Sequence, residues 1–282
     1  MPEILSLDEH YLPNSDYDSL YCYLLMDFAT GIIIDVLPDR KKAYLLYSLS
    51  HIKYETYSYE THTSELDRIK YVSIDMSESF RSVFQSYCPK PLICADSFHV
   101  LQHLTKDFNA VRLKYRRKSP DPVLAYLLIK FKVVFNHNVL LDNTARYNKR
   151  LKQYINLRGI QTLLFNHFPE LKKAYELKEA YITFNEIASF KNAEPKLDAL
   201  FLKFADSQIR EYDEFYTVLS NWKQEIINSF TVVHGRRINN SHIESKNRQV
   251  QRLLNNANGF CNFKRTRNRI LYCLNKEDTY TF

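Results

Sequence analysis

The chain has 282 residues, of which 45% are hydrophobic, and it carries a formal net charge of +7. This composition suffices for one large domain or two smaller ones with buried cores, and the positive charge favours a polyanionic partner. No apolar run reaches membrane-spanning length, and the four glycines form no Walker or dinucleotide-binding pattern, so neither a membrane segment nor a nucleotide cofactor is expected.

The first hundred residues alternate between strand-like and helix-like segments. The apolar patterns predict strands over residues 4–8, 20–28, 31–37, 71–74 and 92–95, and helices over residues 41–50, over 77–87 and from about residue 98. The turn at residues 29–31 suits a hairpin, so the first three strands should form an antiparallel meander. The last two strands follow helices and should be parallel to their neighbours. This order of elements is typical of the ribonuclease-H-like fold, an α/β fold with a five-stranded mixed sheet.

A different pattern follows, because residues from about 104 to 229 are predominantly helical. Helices are predicted over residues 123–134, 144–156, 161–168, 170–190, 194–207 and 211–230, with prolines at several starts, and a further helix from about residue 241. We therefore expect the first part of a catalytic core at residues 1–105, an all-helical insertion at 106–235, and the final core helices with a basic C-terminus at 236–282.

The five cysteines are Cys22, Cys88, Cys94, Cys261 and Cys273. Their number is odd, their spacing is irregular, and none forms a Cys-x-x-Cys pair. We interpret them as reduced residues of a cytoplasmic protein, with no zinc site and no disulfide framework.

Three acidic residues are candidates for a divalent-metal site. Asp8 ends the first predicted strand and Asp75 the fourth, and these strands should be neighbours, while Glu244 lies at the start of a late helix. Carboxylate oxygens are the ligands that Mg²⁺ prefers, and two ions about 4 Å apart can activate a water or a 3′-hydroxyl and stabilise the leaving oxygen of a phosphodiester. Structural roles stay open: the aspartates could end strands or cap helices, and Glu244 could form a capping box with Ser241.

Short motifs follow one another along nearly the whole chain. They are Leu7-Asp8-Glu9, Ile74-Asp75-Met76-Ser77, Ala95-Asp96-Ser97-Phe98-His99-Val100, Asn240-Ser241-His242-Ile243-Glu244 with Asn247, and Gly259-Phe260-Cys261-Asn262-Phe263 with Arg267 and Arg269. In this order they resemble the motifs of the ISL-three family, which are DDE transposases of bacterial insertion sequences.

The resemblance implies a catalytic triad of Asp8, Asp75 and Glu244 that binds two Mg²⁺ or Mn²⁺ ions. It also implies strand cleavage and strand transfer on double-stranded DNA, a homodimer on that DNA, and a cytoplasmic, nucleoid-associated location. Asp96 and His99 match an accessory motif whose role could be metal-adjacent or structural, and Asp96 is a rival to Asp75 as the second acid of the triad.

The chain also departs from the family pattern. The usual Thr-Asn-Gly before the Glu reads either Ile238-Asn239-Asn240 or Asn239-Asn240-Ser241, the Gly after it is Ser245, and a commonly basic position is Gln251. Family members usually carry a zinc-binding and helix-turn-helix region before the first Asp, so we expect this chain to begin at the catalytic domain. These departures keep two alternatives open: an inactive remnant that only binds DNA, and a non-transposing nuclease on the same fold.

A basic segment near the end of the chain is the candidate DNA-binding surface. Between residues 235 and 270 the only acid is Glu244, and the basic residues are Arg236, Arg237, Lys246, Arg248, Arg252, Lys264, Arg265, Arg267 and Arg269. Such residues would contact DNA phosphates, although a merely basic surface helix is the alternative. Trp222 is a further candidate, because an insertion-domain Trp stacks on a DNA base in some relatives; packing in the core is the alternative.

Overall fold

The computed structural model describes residues 1–12, 16–17, 19–88, 90–257 and 262–275. Gly259, Phe260 and Cys261 of the late glycine-aromatic motif lie outside the described residues. The chain divides into two compact units, the first comprising Met1–His99 and Trp222–Phe282 and the second Val100–Asn221. Among the described helices, none is both long enough and apolar enough to cross a membrane.

A five-stranded mixed sheet forms the centre of the first unit. Its strands are β1 (Ile4–Tyr11), β2 (Tyr21–Asp27), β3 (Ile33–Leu37), β4 (Tyr71–Ile74) and β5 (Leu92–Ala95). They lie in the order β3-β2-β1-β4-β5, with β1 to β3 antiparallel and β4 parallel to both β1 and β5. The predicted meander, the two parallel strands and the α/β fold class are thereby confirmed.

The hairpin between β2 and β3 is built from local side-chain contacts. Asp27 accepts hydrogen bonds from the backbone N–H of Ala29 at 2.9 Å and from Thr30 Oγ1 at 2.7 Å. Gly31 follows with φ of 73°, a left-handed conformation that costs a glycine little because it has no Cβ. This turn brings β3 back along β2 and so sets the outer edge of the sheet.

The helices follow the predicted alternation in the first hundred residues and then dominate the chain. In chain order they are α1 (Lys42–Glu55), α2 (Glu78–Tyr87), α3 (Ser97–Lys118), α4 (Pro122–Lys130), α5 (Leu157–His167), α6 (Pro169–Ile187), α7 (Ala193–Ala205), α8 (Asp213–Asn221), α9 (Lys223–Asn228), α10 (Ser241–Asn256) and α11 (Phe263–Leu274). Short 3-10 helices cover Glu65–Arg68, Lys132–Phe135 and Arg210–Tyr212. Small hairpins are formed by β6 (Arg146–Asn148) with β7 (Gln153–Ile155) and by β8 (Val232–Val233) with β9 (Arg236–Arg237).

Helices α10 and α11 cover one face of the sheet. Ile243 and Val250 recur along one side of α10, and Phe263 and Ile270 along one side of α11. They pack with buried residues of β2 and β3 in one apolar cluster, which includes Cys22, Leu24, Met26, Ile33 and Val36. Burial of this shared surface holds both helices against the sheet.

The predicted helix over residues 144–156 is wrong, because this segment of the second unit forms the β6–β7 hairpin. The Asn148 side chain accepts hydrogen bonds from the backbone N–H groups of Arg150 and Leu151, which stabilises a turn in competition with a helix. Tyr147 and Tyr154 then pair across the strands, with their ring centroids 5.4 Å apart. The basic and long side chains here gave a helix-like pattern that these local contacts override.

The predicted helix over residues 211–230 is also interrupted. A 3-10 turn precedes α8, and α8 and α9 are separated at Trp222, whose backbone has φ of −113° and ψ of 16°. Trp222 is only 4% exposed, and the Arg81 guanidinium lies 4.4 Å from its ring centroid. The break allows the indole to be buried within the first unit.

Candidate active site

Three aspartates lie in one row, one within β1 and the others directly after β4 and β5. Ser6 of β1 pairs with Ser73 of β4, and Ser73 pairs with Cys94 of β5. Two residues further along these parallel strands lie Asp8, Asp75 and Asp96. Because side chains alternate between faces with a period of two, the three carboxylates share one face and one level of the sheet. Asp8 does not end its strand as expected, since β1 continues pairing with β2 as far as Tyr11.

This face of the sheet is the one that α10 covers. Asp8 lies opposite Leu24 in the antiparallel pair, and opposite residues point to the same face. Leu24 packs in the apolar cluster with Ile243 and Val250 of α10. The fold therefore directs Asp8 towards the helix that carries Glu244.

Hydrogen bonds tie α10 to this row on either side of Glu244. At the start of the helix, the Asn240 backbone N–H donates to Asp96 Oδ1 and its Nδ2 donates to the Leu7 carbonyl, both at 3.2 Å. Further along, Asn247 Nδ2 donates to Asp8 Oδ2 at 2.6 Å. Asn240, Glu244 and Asn247 are spaced by four and three residues, so they lie on one side of the helix.

The carboxylates of the site differ in how far they are already engaged. Asp96 is fully buried, and its oxygens accept hydrogen bonds from the Phe98 and Asn240 backbone N–H groups and from His99 Nδ1 at 2.8 Å. By contrast, Asp75 Oδ1 and Glu244 Oε1 are buried atoms with no hydrogen-bond partner among the described residues. Asp96 thus ties the start of α3 to the start of α10, while Asp75 and Glu244 present open acceptor oxygens.

The structure also bears on the capping alternatives. Helix α10 begins at Ser241 with Asn240 as its N-cap, and it has no side-chain capping hydrogen bond, so the capping box of Ser241 and Glu244 does not form. Helix α2 has Ser77 as its N-cap and no side-chain capping hydrogen bond, so Asp75 does not cap it. Asp75 Oδ1 therefore stays an open acceptor, and neither of the two capping alternatives forms.

Burial and mutual repulsion make these acids hard to ionise. Burial raises the pKa of Asp8 to about 7, with a further rise from the charges of Asp75 and Asp96. Burial likewise raises the pKa of Asp75 to about 6, and the charges of Glu9 and Asp96 add to this effect. Carboxyl groups that lie close together although burial and repulsion disfavour their ionisation are typical of functional sites.

His99 and Glu244 complete the electrostatics of the site. Burial alone would lower the pKa of His99, but the hydrogen bond and charge of Asp96, with the charges of Asp8 and Asp75, raise that pKa to about 8. Burial and the charge of Asp96 raise the pKa of Glu244, opposed by His99 and Arg248. His99 is therefore a cation at neutral pH in the midst of the acids.

Within the part of the chain that the structure describes, no group of three or more His, Cys, Asp or Glu side chains could hold a metal ion as it stands. Cys22, Cys88, Cys94 and Cys273 are free thiols. The oxygen atoms of Asp8, Asp75 and Glu244 are nevertheless of the kind that Mg²⁺ and Mn²⁺ accept as ligands.

The candidate DNA-binding residues fall into two groups. Three of them make internal contacts: Arg237 stacks on Phe230 and donates to Ser229, Lys246 donates to the Leu274 carbonyl, and Arg267 pairs with Asp35. The exposed members are Arg236, Arg248, Arg252, Lys264, Arg265 and Arg269. Arg248 and Arg252 follow Glu244 by four and eight residues on α10, so they share its side of the helix. Trp222 lies in the core, as its packing alternative requires.

Two asparagines and a histidine at the site had no role assigned from the sequence. Asn240 and Asn247 bracket Glu244 in the late motif, and His10 follows Asp8 by two residues on β1. Their spacing of i, i+4 and i+7 on α10, and of i and i+2 on β1, is the signal that could have identified them.

Comparison with known proteins agrees with this architecture. No curated protein matches the chain. The family model for DDE transposases of the ISL-three type, described as Transposase, matches residues 5–270. That match runs from β1, which carries Asp8, into α11, and it includes β4 with Asp75 and α10 with Glu244. The chain therefore belongs to the ISL-three family of DDE transposases.

Proposed function

We propose that this chain catalyses strand cleavage and strand transfer at the ends of a DNA element, with Asp8, Asp75 and Glu244 as its triad. Membership of a transposase family supports a DNA-cleaving enzyme in general terms. The observation that carries the proposal is that Asp75 Oδ1 in the carboxylate row and Glu244 Oε1 on the facing helix α10 are buried acceptors without a hydrogen-bond partner among the described residues. Buried polar atoms normally have partners, so open carboxylate oxygens at one site favour the binding of a cation there.

The family generally uses divalent metals, and the donor atoms fit that chemistry. Asp8, Asp75 and Glu244 would hold two Mg²⁺ or Mn²⁺ ions. When bound, such ions activate an attacking hydroxyl and stabilise the leaving oxygen of the phosphodiester. Asp75 is preferred over Asp96 as the second acid because Asp96 already accepts three hydrogen bonds that position α3, His99 and α10.

The chain's own residues would supply the rest of the site. His99, positively charged beside Asp8, Asp75 and Asp96, offsets repulsion between the carboxylates. Arg248 and Arg252, exposed on the Glu244 side of α10, would bind backbone phosphates of double-stranded DNA near the reacting bond. Transposition at paired element ends would further need two copies of the chain on the DNA, which makes a DNA-bound homodimer, associated with the nucleoid, part of this proposal.

The experiment is a cleavage and strand-transfer assay on duplexes taken from the DNA that flanks the coding sequence. Wild type is compared with Asp8→Asn, Asp75→Asn and Glu244→Gln in Mg²⁺ and in Mn²⁺, and exposed Glu60→Gln is the matched control. We expect the three site variants to lose about 100-fold or more of the activity while still binding DNA, and the control to keep it.

Each outcome has a distinct meaning. Full activity in all three site variants would show that the site is wrong. Cleavage without joining would indicate a nuclease on this fold, and DNA binding without metal-dependent cleavage would indicate an inactive remnant.

A further inference from the structure

A chain of polar side chains links β1 to α10 beside the carboxylate row. Asp8 Oδ1 accepts from the Glu9 backbone N–H at 2.9 Å, and Asp8 Oδ2 accepts from Asn247 Nδ2 at 2.6 Å. The Asp8 carboxylate is therefore held at both oxygens. Each oxygen keeps further lone pairs, which remain available to a cation.

The carbonyl oxygen of the Asn247 side chain lies near a second buried polar group, the His10 imidazole. Asn247 Oδ1 and His10 Nε2 are both buried, and neither makes a hydrogen bond of standard geometry with another described residue. His10 is itself 6% exposed. His10 lies two residues after Asp8 on β1, so its side chain points to the same face of the sheet as the Asp8 carboxylate that Asn247 contacts, and the two side chains are neighbours.

The hydrogen-bonding capacity of these groups allows one arrangement. A carboxylate only accepts, so Asn247 must turn its NH₂ group towards Asp8, which leaves its carbonyl oxygen for His10. A neutral imidazole with its proton on Nε2 supplies the donor that this oxygen lacks. The reversed amide would set the Asn247 oxygen against the Asp8 carboxylate, which is repulsive.

The fold brings these groups together from both elements. His10 and Asp8 are two residues apart on β1, opposite Cys22 and Leu24, which both belong to the cluster under α10. Asn247 lies three residues after Glu244 on the same side of α10. One amide therefore stands between the strand that carries the first acid and the helix that carries the third.

Resting on the proposed function, we propose that Asn247 is a positioning residue for Asp8, and that His10 acts through Asn247 by donating Nε2–H to its amide oxygen. Together they fix the direction of the Asp8 carboxylate and the distance between β1 and α10. Partners that orient a metal ligand in this way commonly change metal affinity by about 10-fold to 100-fold when removed.

The test measures Mn²⁺ binding to the full chain by calorimetry, with Asn247→Leu, His10→Leu, His10→Gln and the double leucine variant. We expect Asn247→Leu to weaken Mn²⁺ binding by about 10-fold or more. His10→Leu should weaken it as well, and His10→Gln should restore most of the affinity because its amide N–H can replace Nε2–H. If His10 acts through Asn247, the double variant should bind no more weakly than Asn247→Leu alone.

The matched control is Asn275→Leu. Asn275 exchanges two hydrogen bonds with the backbone of Ile33, at 2.9 and 3.0 Å, and so ties the end of α11 to β3. Its loss should lower the melting temperature and leave Mn²⁺ affinity at the wild-type value. A folded Asn247→Leu variant that binds Mn²⁺ as tightly as wild type would overturn the inference. It would also be overturned if the loss of Mn²⁺ affinity in the double variant equalled the product of the losses in the two single variants.

Failure of this inference can be told apart from failure of the proposed function. A wild-type chain that binds Mn²⁺ but does not cleave DNA would contradict the proposed function. The Mn²⁺ affinities of the variants would still show whether Asn247 and His10 position Asp8. If wild type binds no Mn²⁺, melting temperatures measured without metal test whether His10 acts through Asn247. In that case His10→Leu should lower the melting temperature less in the Asn247→Leu background than in wild type. If Asn247→Leu does not fold, loss of binding in His10→Leu and its rescue by His10→Gln carry the test.

Discussion

The acidic row implies that its second aspartate destabilises the folded protein when no cation is present. Asp75 sits among buried acids, and burial with the charges of Glu9 and Asp96 raises its pKa from 3.8 to about 6. A group whose pKa is higher in the folded state than in the unfolded state stabilises the fold when protonated, and that stabilisation is lost as the pH rises through the folded pKa. Replacing Asp75 by the neutral, similarly shaped Asn should therefore stabilise the metal-free protein at neutral pH.

The magnitude follows from that pKa. A difference of one pKa unit corresponds to about 1.4 kcal/mol, so ionised Asp75 costs the metal-free fold about 3 kcal/mol at pH 7.5. An Asn at this buried position loses about 1 kcal/mol through a less favourable contact for its NH₂ group. The net gain for Asp75→Asn is then about 2 kcal/mol, or roughly 4–8 °C in melting temperature for a domain of this size. Between pH 6 and pH 4 the gain should fall to about zero as wild-type Asp75 takes up its proton.

The assay is thermal and urea unfolding in a chelator at pH 7.5 and at pH 4.5. Asp96→Asn is the matched control, because Asp96 accepts three hydrogen bonds and is fully buried, so the same substitution there should destabilise the protein at pH 7.5. Adding Mn²⁺ should stabilise wild type more than Asp75→Asn. The reasoning would be refuted if Asp75→Asn were no more stable than wild type at pH 7.5, or if its gain were as large at pH 4.5.

Other predictions concern residues beyond the carboxylate row. Arg248→Ala and Arg252→Ala should each weaken binding to duplex DNA and reduce the slope of log affinity against log salt by about 1; an unchanged slope in filter-binding titrations would exclude both from phosphate contact. The pKa of His137 is raised by its hydrogen bond to Glu179 and the charge of Glu186, so its stabilising effect is full below its ordinary value of 6.5 and lost as the pH rises through the raised value. His137→Gln should thus lower the melting temperature at pH 6 and not at pH 9, and equal losses at both pH values would contradict this. Trp222→Ala should cost about 3–5 kcal/mol in unfolding, whereas Trp222→Phe should leave DNA affinity unchanged; weaker DNA binding by a stable Trp222→Phe protein would argue for base stacking instead.

The sheet could be predicted from the sequence because its strands are nearly continuous apolar runs separated by clear turns. Ile33 and Val36 of β3 and Val72 of β4 are fully or almost fully buried, and their β-branched side chains suit a pleated core. The helical block was predicted less well. Residues 144–156 are mostly exposed and polar, so no apolar period distinguishes a helix from the hairpin, and the Asn148 turn contacts decide the outcome.

The candidate site could be predicted only in part, because sequence positions carry no information about register. The acids after β4 and β5 were recognisable at strand ends, but Asp8 lies inside β1, and only the parallel register puts it level with Asp75 and Asp96. The roles of Asn240 and Asn247 depend on contacts with β1 and with Asp96, which are more than a hundred residues away in the chain. Hydrogen bonds over such separations leave no local pattern.

The position of Glu244 is therefore set by the first unit itself. Between β5 and α9 the chain passes through the whole second unit, so the covalent connection alone cannot fix α10 against the sheet. Apolar packing of Ile243 and Val250 against β2 and β3 fixes which side of the helix faces the strands. Apolar packing is weakly directional and leaves the helix some freedom to slide along the sheet. The bonds from Asn240 to Leu7 and Asp96, and from Asn247 to Asp8, remove that freedom on both sides of Glu244. The contacts that position α10, and with it Glu244, therefore join residues of the first unit that lie far apart in the sequence.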